Sequence, residues 1–266
     1  MKNIKPLKRF GQNYLTDKNI IRKIVDELNP QNNDCVLELG PGKGAITEEI
    51  LNRINKTYAI EIDRRIIDDL REKFPALTVY EADILKFDFG KLGRKCKSPL
   101  RIIGNIPFNI TAPIVFKLIE NREIIQDAVL MVPHEIAKRF TGAKGTKDYG
   151  ILSVLLEYYC TTKICFKVSP NVFFPKPKIE SAVVHIFFNK PTSGKLNDKI
   201  FIQVVKAAFG NRRKTLKNSL SNSIFKIYNY SGAGIDLTKR AEELEIKDFI
   251  KLAEFFQKEI NAAKQR

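Results

Sequence analysis

The chain has 266 residues, 44% of them apolar, enough to pack one large domain or a large one with a small one. Its formal charge is +16 at pH 7 although 30 acidic residues are present, so base is in excess and a polyanion is the expected partner. No run of about 18 apolar residues offers a membrane span, and the basic N-terminus MKNIKPLKRFGQNYL lacks an apolar leader core, so a cytoplasmic location is expected.

In chain order, apolar residues at Ile20, Ile21, Ile24, Val25 and Leu28 predict a helix opening at Thr16 or Asp17 and closing before Pro30. CVLEL is a short buried strand, followed by GPGKG and a helix over 45–53. TYAIEI is a second strand, followed by a charged helix over 64–73; LTVYEAD is a third. LRIIGN is a fourth, with a helix over 112–120 after it, and DAVLMV is a fifth. Continuously apolar strands alternating with helices predict a parallel sheet covered on both faces, doubly wound, with ligands at the carboxyl ends of its strands. KICFKV and SAVVHIFF read as later, antiparallel strands at the sheet edge, and NKPTSGKLND as a linker. From Phe201 the pattern is helical only. The expected division is an α/β domain over 1–194, with an N-terminal arm at 1–16, and a small α-helical domain over 195–266.

The four cysteines, Cys35, Cys96, Cys160 and Cys165, form no CxxC pair and are expected to be reduced packing residues. His134 and His185 match no zinc spacing, so no metal site is expected. Basic residues gather at Lys2, Lys5, Lys8 and Arg9, and again at Lys206, Arg212, Arg213, Lys214 and Lys217. No segment pairs a basic face with a broad apolar one, which favours nucleic acid over membrane.

The strand-end loops carry the chemistry. GPGKG, with Gly40 and Gly42, lets a ligand approach the backbone at a helix N-terminus, although a tight turn also wants glycine. Glu61 follows Gly40 by 21 residues, a spacing suited to accepting both hydroxyls of a ribose, with Ile62 beside it. Asp63 fits a helix cap better. Asp83 could accept from an adenine amino group, with Ile84 packing nearby, or simply open a loop. Together these point to an adenosine-containing cofactor, and GPGKG lacks the GxGxxG step of a dinucleotide site. GNIPFNIT then leaves the fourth strand through Asn105, Ile106, Pro107 and Phe108. This order resembles the amino-methyltransferase motif, and the resemblance implies transfer to an exocyclic amine with the following roles. Asn105 and the Ile106 carbonyl hold its hydrogens, Pro107 fixes the turn, and Phe108 stacks on a flipped base. No strong general base is required, and catalysis rests on positioning.

These residues resemble the amino-methyltransferase motif, and the chain as a whole resembles the KsgA family of ribosomal RNA adenine dimethyltransferases. The matching segments run from FGQNYL (10–15), LELGPGKGAIT, AIEID, EADIL and GNIPFNIT to KGTKDYGILSV, FFPKPKIESAVV and FGNRRKTLKNSL. The resemblance implies a Rossmann-like class I methyltransferase domain and S-adenosylmethionine as donor. It also implies dimethylation of N6 on two adjacent adenosines near the 3′ end of small-subunit (16S) rRNA, with a role in subunit assembly. By position it implies Asn13, Leu15, Gly40, Glu61, Asp83 and Asn105 as cofactor contacts, and Phe108 and Phe173 as the base sandwich. Lys8, Arg9, Arg212, Arg213, Lys214 and Lys217 would then face RNA, making the helical domain an RNA-binding one. Phe108 stands where the family usually has Tyr, and Pro133-His134 where it has Gln-Lys. A monomer is expected. The rivals are an Erm-type large-subunit rRNA methyltransferase and a non-catalytic assembly factor. A nicotinamide dehydrogenase would explain neither Asn105–Phe108 nor the charge.

Overall fold

The computed structural model describes residues 12–190, 194 and 196–264. Lys2, Lys5, Lys8 and Arg9 lie outside them. The elements in order are β1 (Tyr14–Leu15), α1 (Lys18–Leu28), β2 (Cys35–Leu39), α2 (Ala45–Leu51), β3 (Thr57–Glu61), α3 (Arg64–Lys73) and β4 (Leu77–Glu81). They continue with α4 (Phe89–Lys95), β5 (Leu100–Asn105), α5 (Thr111–Glu120), β6 (Ile125–Pro133), α6 (His134–Phe140) and α7 (Ile151–Tyr159). The last are β7 (Thr161–Val168), β8 (Phe173–Phe174), β9 (Ser181–Phe187), α8 (Asp198–Ala208), α9 (Leu216–Ser221) and α10 (Ile246–Lys264).

The chain divides into two compact units. One comprises 1–137 with 162–188, and the other 138–161 with 189–266. The first is built on a seven-stranded sheet in the order β4-β3-β2-β5-β6-β9-β7. Strands β4, β3, β2, β5 and β6 are parallel, and β9 runs antiparallel to β6. Every residue of β2 and β3 is buried, as a strand covered on both faces requires. The order reverses between β2 and β5, which opens a crevice at their carboxyl ends. Helix α1 begins where predicted: Asp17 Oδ1 accepts from the N–H groups of Asn19 (2.8 Å) and Ile20 (3.0 Å). Its buried stripe of Ile21, Ile24, Val25 and Leu28 joins Val36, Ile103, Val129 and Val183 from the strands.

One buried polar cluster crosses this unit. Arg101 of β5 donates to both oxygens of Asp127 on β6 (2.9 and 2.6 Å) and to Asp34 (2.7 Å). His185 of β9 lies between Asp127 and Glu27, at 2.9 Å from each. Lys163 pairs with Glu27 in turn. The sequence reading placed no partner on His185.

Two expectations are corrected. The segment Lys138–Thr161 belongs with the helical unit, not with the α/β domain. The reason is α7, whose apolar side packs on α8 and α10, with Tyr158 4.2 Å from the Phe201 ring. Cys35 and Cys96 form a disulfide rather than remaining reduced, while Cys160 and Cys165 are free. Parallel pairing of β2 with β5 brings Cys35 opposite Leu100, close to where Cys96 ends α4. A separation of 61 residues hides that proximity in the sequence.

The helical unit packs α8 against α10 and α9 around Phe201, Phe209, Phe225, Phe249 and Phe256. Tyr149 anchors its loop by donating to the Leu244 carbonyl at 3.0 Å.

Candidate active site

The carboxyl ends of β2, β3, β4 and β5 surround a cavity of about 360 Å³ in the α/β unit. The loop after β2 turns through three positive φ values, 68° at Gly40, 53° at Gly42 and 79° at Gly44. Side chains there would strain the backbone, and a Cβ on Gly42 would stand 3.0 Å from the Tyr14 ring. The loop therefore offers bare backbone to the cavity.

At the end of β3, Glu61 is buried, and its carboxylate accepts from three backbone N–H groups. These belong to Ile62 (2.9 Å), Asp63 (2.9 Å) and Gly42 (3.3 Å). Burial pushes its carboxyl up, and the three donors oppose that shift by favouring its charge. Gly42 and Glu61 are thus one unit: the acid holds the loop. Asp63 does not line the cavity; it caps α3 through Arg65 N–H and receives a bidentate Arg65 pair and Gln12 Nε2. The capping role expected for it is what the structure shows. Asp83 lines the cavity and opens its loop by accepting Leu85 N–H at 2.9 Å.

Asn105 ends β5. Its Nδ2 donates to the Asn13 carbonyl at 2.7 Å, which fixes the amide and leaves Oδ1 as its remaining acceptor. The close approach beneath it needs glycine: a Cβ on Gly104 would meet the Leu39 carbonyl at 2.6 Å. Ile106 donates its N–H to the Met131 carbonyl (3.0 Å), tying the turn to β6. The Pro107 carbonyl accepts from Ile110 N–H and starts the 3₁₀ turn Phe108–Ile110.

The structure brings together Asn13, Leu15, Gly40, Gly42, Glu61, Ile62, Asp83, Ile84, Asn105, Ile106, Pro107 and Phe108 around this one cavity. It does not bring Phe173 there. Phe173 is buried in β8 opposite Leu15, among Ile21, Ile24 and Val168, while the exposed Phe174 lines the cavity. Strand alternation is the reason, since neighbouring residues point to opposite faces. Pro133 and His134 stay away from the cavity. Pro133 pairs with Ser181, and His134 N–H bonds the Glu180 carbonyl.

Tyr14 and Glu38 are among the lining residues that escaped the sequence reading. Tyr14 donates to Gln12 at 3.0 Å, and burial, with Asp63 and Glu61 nearby, pushes its phenol up to about 12. Glu38, a lone acid within the apolar CVLEL, accepts from Thr47 Oγ1 at 2.5 Å. Burial pushes its carboxyl up to about 8, with the Thr47 bond opposing and the Glu61 charge adding. An acid inside an otherwise apolar buried strand was the available signal.

Glu38 yields a pH prediction. Its folded-state value lies above an ordinary carboxyl, so its contribution is full below about 4.5 and is lost as pH rises through about 8. Glu38→Gln keeps an acceptor for Thr47 and removes the charge. Thermal melts at pH 6 and pH 9 should show the variant gaining on wild type by about 5 °C or more at the higher pH. An equal difference at both values would mean that Glu38 is already ionised in the folded protein at pH 6.

The comparisons with known proteins agree with this geometry. The family model for ribosomal RNA adenine dimethylase matches residues 3–258. The chain belongs to that family. It is 44% identical over 253 residues to the ribosomal RNA small subunit methyltransferase A of Chlorobium phaeobacteroides, covering 93% of this chain and 90% of that protein. Among solved structures, a dimethyladenosine transferase from Plasmodium falciparum aligns with a TM-score of 0.77 at 27% identity, covering 92% of this chain and 97% of that one. The 23S rRNA methyltransferase ErmE aligns with a TM-score of 0.66 at 25% identity, covering 91% and 98%. The chain is a methyltransferase of the Rossmann-like class I fold, and its family takes the methyl group from S-adenosylmethionine.

Proposed function

We propose that the protein dimethylates N6 of two adjacent adenosines near the 3′ end of small-subunit (16S) rRNA, acting in the cytoplasm as a monomer during subunit assembly. The observation that carries the reading is the fixed Asn105 amide. Its Nδ2 is committed to Asn13, so Oδ1 is the acceptor presented beside Phe108. The N6 lone pair of adenine is delocalised into the ring. An acceptor pair made by Asn105 Oδ1 and the Ile106 carbonyl would hold its hydrogens and favour a more tetrahedral, nucleophilic nitrogen. Phe108 supplies a stacking face for the extruded base, and the exposed Phe174 is better placed than Phe173 to form the other wall. Pairing Phe174 with Phe108 revises the sandwich implied by resemblance.

The residues present suit the donor. The glycine loop leaves backbone open, Glu61 is held ionisable by three N–H groups, and Asp83 has a second oxygen beyond its Leu85 bond. Gly40 and Gly42 would serve the methionine end, Glu61 and Ile62 the ribose, and Asp83 and Ile84 the adenine. Asn13 and Leu15 would close the pocket from the N-terminal arm. S-adenosylmethionine supplies an electrophilic methyl on a sulfonium. The protein's part is to aim the amine and exclude water.

Small-subunit specificity is supported by the 44% identity to a protein named for that subunit, against 25% to ErmE. Methyl transfer from labelled S-adenosylmethionine tests it, with unmethylated small subunits and naked large-subunit rRNA offered separately. Dimethyladenosine at adjacent small-subunit sites is expected. Label confined to large-subunit RNA would move the protein to the Erm reading, and cofactor binding without transfer would leave an assembly factor.

For the basic cluster, the structure separates one residue from the rest. Arg212 is tied to Glu242 (2.9 Å) and to the Lys147 carbonyl (2.8 Å). Arg213, Lys214 and Lys217 are exposed and have no ion pair among the described residues. We assign phosphate contact first to these three, and add Lys8, Arg9 and Arg212 by resemblance alone. Arg213→Ala with Lys214→Ala should reduce the slope of log K against log salt for subunit binding by about 1.5–2. An unchanged slope would place the two side chains off the RNA.

A further inference from the structure

The helical unit holds a second cavity, of about 510 Å³, that methyl transfer leaves without a role. It forms where the C-terminal turn of α8 meets α9 and the residues after it. Its lining mixes three kinds of group. Lys206 and Lys214 bring positive charge, while Gln203, Asn211 and Asn222 bring amides. Ile224 contributes an apolar face that is 61% exposed.

The amides are only partly used. Asn211 Oδ1 accepts from Arg213 N–H at 3.3 Å, so its Nδ2 remains a donor. Asn222 Nδ2 donates to the Asn218 carbonyl at 2.7 Å, so its Oδ1 remains an acceptor. Gln203 makes no side-chain hydrogen bond among the described residues. The cavity therefore presents both donors and acceptors. The stretch that lines it is basic in sequence: from Lys199 to Ile235 the chain has seven basic residues and no Asp or Glu, with Arg212 among them paired to Glu242.

An occupant must then be anionic, must carry hydrogen-bonding edges, and must offer an apolar face. A nucleotide pulled out of its stack has all three, and RNA is read chiefly at such splayed positions. The volume falls in the range of small-ligand sites. We infer that this cavity takes one unstacked nucleotide of the rRNA. Its base lies on Ile224 within reach of the Asn211, Asn222 and Gln203 amides, and its phosphate lies at Lys206 and Lys214. The inference rests on the rRNA reading and adds an anchoring contact outside the methyl-transfer cavity.

The test uses the full chain and unmethylated small ribosomal subunits. Ala207→Trp fills the cavity without changing charge. Gln203→Ala with Ile224→Ala removes exposed groups and leaves the helical core alone. Subunit affinity, base-specific chemical probing of the rRNA and methyl transfer at saturating subunits are measured for each. Both variants should bind about tenfold more weakly, the size of one lost base contact. One base protected by wild type should become reactive, while saturated turnover stays unchanged. Unchanged binding and protection in both variants would overturn the proposal. So would weaker binding with every base protection retained, which would put a protein segment in the cavity. If wild type transferred no methyl group, the enzymatic reading would fail, yet the affinity and probing comparison would still decide this one.

Discussion

Asn105→Ala is expected to lower kcat/KM for methyl transfer by about 10²–10³, the usual cost of one positioned hydrogen-bonding group at a reacting centre. Binding of small subunits should stay within about twofold, because phosphate contacts supply most RNA affinity. The cause lies in the geometry. Asn105 Oδ1 is left as an acceptor because Nδ2 is held by the Asn13 carbonyl, and alanine removes both. The variant should therefore also bind S-adenosylmethionine more weakly, since the arm loses its tether to β5. Single-turnover methylation, cofactor titration and subunit binding separate the three effects. A parallel collapse of RNA binding would mean that Asn105 shapes the fold rather than the reaction.

Asp127→Asn should destabilise the α/β unit by about 3–5 kcal/mol in urea unfolding, the usual cost of breaking a buried charge cluster from one side. Asp127 is 1% exposed, and both of its oxygens are bonded to Arg101, one of them also to His185. The substitution leaves the Arg101 guanidinium in an apolar sheet with a weaker partner. Burial alone would raise the Asp127 carboxyl, but Arg101 and His185 hold it below the usual carboxylate value. Its contribution is therefore present above an ordinary aspartate pKa and lost as pH falls through the depressed folded value. The gap between wild type and variant should narrow in strong acid. A gap below about 1 kcal/mol at pH 7 would show that Glu27 and Asp34 can stand in for it.

The α/β architecture was readable because each parallel strand is a short, predominantly apolar run between turn residues. CVLEL and TYAIE needed no partner to be recognised. The site was readable for the same reason: a doubly wound sheet delivers its strand ends to one place, so Gly40, Glu61, Asp83 and Asn105 converge by topology. What escaped depends on three-dimensional neighbours. Helix α7 is almost uniformly apolar, and only its contacts with α8 and α10 reveal its unit. Phe173 and Phe174 are the same residue type on opposite faces, and motif position did not say which face opens to the cavity. His185 looked isolated because Glu27 and Asp127 lie 158 and 58 residues away.

The helical unit is assembled from two separated stretches of chain, and this bears on how the protein is made. During synthesis Lys138–Thr161 emerges well before α8, and about a hundred residues before the end of α10. At about 5–20 residues per second, the apolar side of α7 waits roughly 5–20 s for the helices that cover it. Meanwhile β9 must insert between β6 and β7 to finish the sheet. The nascent chain thus completes its catalytic unit while carrying an unfinished, sticky helix. That interval is where chaperone dependence should concentrate, and a C-terminal fragment beginning at 195 would lack α7 altogether.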